Sequence, residues 1–136
     1  MPDRVILDSS VIAAIFFKEE SSEKAERAAA NYQLITVDLA IAEVANVAWK
    51  RVVFFNEPKV VALKALRGSI NLIIGACEVI STHKLLEDAF EIAIVDRITI
   101  YDSLFIAASE REKVPLLTTD GKLYEKVKSK RNVKLI

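Results

Sequence analysis

Residues 4–12 read Arg-Val-Ile-Leu-Asp-Ser-Ser-Val-Ile, a short apolar run that ends abruptly in a carboxylate and two hydroxyls before apolar residues resume. Val5, Ile6 and Leu7 form the unbroken apolar triplet expected of a strand covered on both faces, and Val11 to Phe17 is long enough to begin a helix. Asp8 therefore sits at a strand-to-helix junction. In open α/β sheets ligands bind in the crevice beyond the carboxyl ends of the strands, so an acid here faces the usual functional edge. Asp8 is also a good helix cap, as are Ser9 and Ser10, because each can accept a backbone N–H of the first turn. The local sequence leaves both roles open.

Working outward, the 136 residues fit a single domain, 1–136, large enough for a hydrophobic core without staples. With 52% apolar and 28% charged residues the chain is globular rather than disordered. One cysteine, Cys77, excludes an intramolecular disulfide framework and suits a reducing compartment, with a small buried hydrophobe as its expected role. Asp3 and Arg4 precede an apolar run too short for a signal peptide, and the longest apolar run, Val11 to Phe17, is far below the ~20 residues that span a bilayer. A cytoplasmic protein with no membrane role is expected. Nineteen basic and nineteen acidic side chains cancel, so there is no global electrostatic footprint for nucleic acid. Locally, Lys122, Lys126, Lys128, Lys130, Arg131 and Lys134 follow Asp120 against the single acid Glu125. This run reads as a solvated helix face, with a phosphate-contacting edge as the alternative.

Along the chain, Ser21 or Ser22 is placed to cap a helix over Glu23 to Asn31, Gln33 to Thr36 reads as a strand, and Asp38 is placed to cap the next helix. From Leu39 to about Phe55 the sequence is apolar nearly all round, which predicts a buried helix. Glu43, Asn46 and Lys50 share one stripe of it. A carboxylate on a buried helix needs a partner, either Lys50 or Asn46 beside it or a metal ion. A further helix starts at Asn56-Glu57-Pro58, is interrupted by Gly68 and ends near Gly75. Glu78 to Ile80 is a candidate strand, and Thr82 is placed to cap a helix over Leu85 to Val95. His83 is the only histidine and reads as a surface residue, since dedicated zinc sites need several His or Cys ligands. Thr99 and Asp102 have capping-box spacing at the start of an apolar helix. Pro115 to Thr118 reads as a strand, Thr119-Asp120-Gly121 as a turn into a basic helix, and Val133 to Ile136 as an edge strand. The alternation argues for an α/β fold with a mostly parallel sheet.

Four acids share a pattern. Asp8, Asp102 and Asp120 lie at strand ends or helix starts, and Glu43 lies in the first turns of a helix, positions that converge on one sheet edge. Carboxylates packed together raise one another's pKa values unless cations neutralise them. Oxygen ligands suit Mg²⁺ or Mn²⁺, and the absence of clustered His and Cys argues against zinc or copper. Paired metals are the standard device for phosphodiester hydrolysis.

Leu7-Asp8-Ser9-Ser10, Glu43 with Asn46, Tyr101-Asp102-Ser103-Leu104-Phe105-Ile106-Ala107 and Leu117-Thr118-Thr119-Asp120 together resemble the successive motifs of the PIN domain. The likeness is greatest to the small PIN ribonucleases that act as VapC toxins of toxin–antitoxin pairs. It implies a three-layer α/β/α sandwich with a central sheet of about four to five strands, and metal ligation by Asp8, Glu43, Asp102 and Asp120. It also implies supporting roles for Ser9, Asn46 and Thr118, so helix capping near Asp8 passes to Ser9 or Ser10. It further implies Mg²⁺- or Mn²⁺-dependent endonucleolytic cleavage of RNA, homodimerisation, and a cognate antitoxin as partner. The preference for RNA over DNA rests on the resemblance alone. A non-catalytic or RNA-processing relative that uses the fold for binding is the alternative. Phosphatases of the haloacid dehalogenase type want a second Asp where Ser10 stands, and no G-x-G-x-x-G or P-loop run is present.

Overall fold

The computed structural model of the protein describes residues 3–136. Five strands, β1 (Arg4–Leu7), β2 (Gln33–Val37), β3 (Cys77–Ile80), β4 (Leu116–Thr118) and β5 (Val133–Leu135), form one sheet in the order β3-β2-β1-β4-β5. Every pairing is parallel, so the sheet is wholly rather than mostly so. Parallel strands need crossovers, supplied by α1 (Ser9–Phe16), α2 (Ser22–Asn31), α3 (Leu39–Phe55), α4 (Lys59–Ala76), α5 (Thr82–Asp96), α6 (Ile100–Glu112) and α7 (Gly121–Val127). Right-handed crossovers put α1–α4 on one face as the chain steps from β1 to β3, and α5–α7 on the other as it returns through β4 to β5. The result is three layers, α/β/α.

The step direction reverses between β1 and β4, which are neighbours. Their carboxyl ends therefore open into a crevice at a topological switch point. Leu7 pairs with Leu117, which sets Asp8, the residue after β1, beside Thr118, the last residue of β4. Val5, Ile6 and Leu7 are buried together with Ile35, Leu116 and Leu117, and Val11, Ile12, Phe17, Ile73, Leu85, Phe105 and Ile106 pack onto them from both layers. The strand ends are thus held by the core.

Several local expectations change. Helix α3 is not buried all round: its outer face leaves Trp49, Val53, Phe54 and Phe55 exposed, Phe55 by 72%. A period-3.6 apolar pattern on every face tells of low polarity and not of what covers it. Gly68 does not interrupt α4, because α1 passes over it: a Cβ there would stand 2.6 Å from Cδ1 of Phe16. Asp38 does not cap α3 through its side chain; its carboxylate instead accepts from Thr82 N at 2.9 Å and from the Thr82 hydroxyl. Thr82 consequently lies inside α5, with Ser81 as its N-cap residue. At α2, Ser21 occupies the cap position without a side-chain bond, and the Ser22 hydroxyl accepts from Glu19 N at 2.9 Å. Cys77 is half-buried rather than buried. The basic run is only partly a solvated face, since Arg131 donates to Asp96 at 2.8 and 3.0 Å and to Glu110 at 2.7 Å. No helix among the described residues is long and apolar enough to cross a membrane.

Candidate active site

Asp8 directly follows β1 and is buried, with 7% of its surface exposed. It caps α1 itself: Oδ1 accepts from Val11 N at 3.2 Å, so capping does not pass to Ser9 or Ser10. The two hydroxyls are used elsewhere. Ser10 donates to Oδ1 of Asp8 and accepts from Thr119 N at 3.0 Å, tying the start of α1 to the end of β4. Thr118, fully buried, donates to Oδ2 of Asp8 and accepts from Asp120 N at 3.0 Å. Both Asp8 oxygens are therefore oriented by residues of the switch point. Burial pushes this carboxyl up to about 6, hydrogen bonds from Ser10, Thr118 and Val11 pull it down, and the charge of Asp102 adds to the rise.

Glu43 projects from the second turn of α3 and is half-buried. Its Oε1 accepts from the Ser9 hydroxyl at 2.9 Å. Neither expected neighbour binds it: among the described residues Lys50 makes no ion pair with Glu43, and Asn46 is exposed without a hydrogen bond to it. Desolvation raises the Glu43 pKa, the Ser9 bond lowers it and Asp102 raises it.

Asp102 lies in the first turn of α6, where Thr99 caps the helix by accepting from Asp102 N at 3.1 Å. Only this arm of the expected capping box forms among the described residues. The Asp102 pKa is raised by desolvation and by Asp120, against lowering contributions from Thr99 and Lys126. Asp120 is exposed and caps α7, its Oδ1 accepting from Lys122 N at 3.0 Å and Leu123 N at 3.1 Å. Asp102 and Asp120 share a recess of about 280 Å³ with Arg97, Thr99, Lys122 and Lys126.

Asp102 is thus the electrostatic centre, repelling Asp8, Glu43 and Asp120. As the side chains stand, no three acidic, His or Cys groups among the described residues are gathered closely enough to grip an ion. The donor set nonetheless fits a hard divalent cation: every donor is a carboxylate oxygen, Asp8, Glu43 and Asp102 have raised pKa values, and a cation would relieve the repulsion among them. Ser10 is the participant that sequence reasoning left out, beyond a capping role. Its only sequence signal is a hydroxyl two residues after Asp8. Of the recess cations, Lys122 and Lys126 belong to the basic run whose alternative reading was a phosphate-contacting edge, whereas Arg97 had no sequence signal.

A PIN domain model matches residues 5–129. The chain is 38% identical over 127 residues to Ribonuclease VapC3 of Pyrobaculum aerophilum, covering 90% of this chain and 94% of that protein. Its fold is similar to that of VapC20 of Mycobacterium tuberculosis, described as a sarcin–ricin loop cleaving toxin, with a TM-score of 0.71, 16% identity, and 89% and 93% of the two chains covered. It also resembles VapBC2 of Rickettsia felis, crystallised with a DNA fragment from their promoter, with a TM-score of 0.63, 13% identity and 98% of each chain covered. An ordered set of acids at the β1/β4 switch point, a five-stranded parallel sheet between helical layers, and a family match over nearly the whole length agree: the chain belongs to the PIN domain family.

Proposed function

We propose that this protein is a divalent-metal-dependent endoribonuclease and the toxin of a VapBC-type pair. One observation carries the reading: of four carboxylates, from just after β1, α3, α6 and the β4–α7 turn, Asp102 lies near enough to the other three to repel each of them. Asp8, Glu43, Asp102 and Asp120 would hold Mg²⁺ or Mn²⁺, which when bound activates water for in-line attack and stabilises the leaving oxygen. The chain's own residues prepare that site. Ser10 and Thr118 fix the Asp8 rotamer, Ser9 fixes Glu43, and the α7 amides orient Asp120. Lys122 and Lys126 line the recess beside Asp102 and Asp120, where a phosphate would need positive charge.

The ribonuclease assignment draws on the likeness to Ribonuclease VapC3, the toxin assignment on the fold-level likeness to VapC20, and the antitoxin on the fold-level likeness to VapBC2. Two exposed apolar faces support association with partners: Trp49, Phe54 and Phe55 on α3 with Val60 on α4, and Leu86, Phe90 and Ile94 on α5 with Tyr101 on α6. We assign them to homodimerisation and antitoxin binding. A second reading, binding without catalysis, is favoured by the acids standing too far apart to grip an ion unaided. Cleavage of single-stranded RNA separates the two. The expected result is cleavage with Mn²⁺ that EDTA abolishes and added Mn²⁺ restores; EDTA-resistant cleavage by the purified chain contradicts the mechanism.

A further inference from the structure

The faces of this molecule are unequal on the α1–α4 side. The β5 end of the sheet is left uncovered there, and between α2 and the β4–β5 strands runs a groove of about 420 Å³. Leu117 lies within it, Lys24 and Arg27 of α2 line one wall, Lys134 stands on β5, and Tyr32 closes one end. A second recess shares Lys24 and Ile136 with this groove and continues to Thr119. Thr119 N donates to Ser10, which in turn donates to Asp8, so the second recess reaches a residue two hydrogen bonds from the acid site, although none of the four acids lines either recess.

Its charge is not that of the whole chain, which is neutral. On α2 the helical period turns Lys24 and Arg27 toward the groove, while Glu23 and Glu26 do not line it. Glu20 is the one acid lining the second recess, beside Lys24 and Thr119. Among the described residues Lys24, Arg27 and Lys134 form no ion pair. Cations left unpaired along a groove, with an exposed aromatic ring at one end, match what a single-stranded nucleic acid needs: charge for its phosphates and a face for a base. Tyr32 is 37% exposed and borders three adjoining recesses.

We infer that the α2–β5 groove is the track along which single-stranded RNA reaches the acid site, with Lys24, Arg27 and Lys134 on its phosphates and Tyr32 stacked on a base. This inference rests on the ribonuclease reading for its choice of occupant. An acidic polypeptide would have the same charge but no use for the ring.

The test is binding of a labelled single-stranded RNA of about 12 nucleotides to the full chain in EDTA, across a salt series. The paired substitution Lys24→Glu with Arg27→Glu is expected to weaken binding at least about tenfold and to flatten the salt slope by about 0.7 for each phosphate no longer neutralised. Lys64→Glu, an equal charge change per residue on the exposed side of α4, is the control and should leave both quantities unchanged. Tyr32→Ala should cost about tenfold and Tyr32→Phe should restore affinity, which a loss of packing at the hydroxyl would not reproduce. Wild-type affinity in the paired variant, or the same loss in Lys64→Glu, overturns the proposal. So does retained RNA binding in a paired variant that no longer binds a poly-glutamate probe. In Mn²⁺, RNA bound through these residues but never cleaved would refute the nuclease reading and support the groove. Wild-type cleavage in the groove variants would refute the groove alone.

Discussion

Asp8 carries two demands that conflict in the metal-free protein. Its burial holds Val11, Ser10 and Thr118 in place, yet an ionised carboxylate there lacks a countercharge. The folded-state pKa of about 6 lies above the ordinary value of 3.8. The proton-bound form therefore favours folding fully below about pH 3.8, and that contribution is lost as pH rises through about 6. Removing the charge should recover it. In EDTA at pH 7.5, Asp8→Asn is expected to raise thermal stability, by up to about 3 kcal/mol before the loss of hydrogen-bond acceptors is subtracted. A scan that finds Asp8→Asn destabilised at pH 7.5 and pH 4 alike would count against this electrostatic account. Glu43→Gln should act in the same direction with a smaller effect, because Glu43 is only half-buried and its Ser9 bond survives an amide. Marked destabilisation there would instead indicate a structural ion pair. At this scale the four acids were legible because carboxylates interrupting apolar runs are conspicuous. Of the hydroxyls that orient them, Ser9 and Thr118 entered as supports only through the family resemblance, and Ser10 looks like no more than a cap until β4 is brought alongside.

Among the elements, α4 separates what a glycine does from where it sits. Gly68 and Gly75 both lie inside the helix, but only Gly68 is met by α1 through the Phe16 ring. Gly75 has nothing within 4 Å of its missing Cβ. Gly75→Ala should thus raise stability by about 0.5 kcal/mol through helix propensity, whereas Gly68→Val should lower it by about 1–3 kcal/mol through overpacking. Chemical denaturation of the two variants checks the contrast, and equal shifts would show that α1 and α4 do not pack this closely. Strand β1 was readable from its apolar triplet, the other strands from short apolar stretches between helices, and the helices from their period. The covering of α3 was not, because Trp49, Phe54 and Phe55 are as apolar as core residues and only the fold reveals that they stay exposed.

For the whole molecule, the α5–α6 layer is fastened to the β5 edge by Arg131, which bridges Asp96 at the end of α5 and Glu110 on α6. Arg131 holds the Asp96 carboxyl below its usual range. This contribution is present above the ordinary carboxylate pKa of about 4 and is lost as pH falls through the lower folded value. Arg131→Ala should cost about 2–3 kcal/mol at pH 7 by leaving buried Asp96 with only Lys130, 4.0 Å away, as a countercharge, and the penalty should shrink toward pH 3. An unchanged penalty at both pH values would remove charge from the explanation. The α/β alternation pointed to this architecture, but strand order did not follow from sequence, since nothing in β3 or β5 announces its neighbour. That order matters most, because it is what makes β1 and β4 adjacent and brings Asp8 beside Thr118.

On the proposed reading the acids at this junction act through a shared cation on RNA, and Asp102 is the member that touches the other three electrostatically. The direct measurement is the rate of RNA cleavage by Asp102→Asn in saturating Mn²⁺, beside wild type. A fall of at least about 10²-fold with RNA affinity and thermal stability retained is the result this account predicts. Cleavage at the wild-type rate would contradict it.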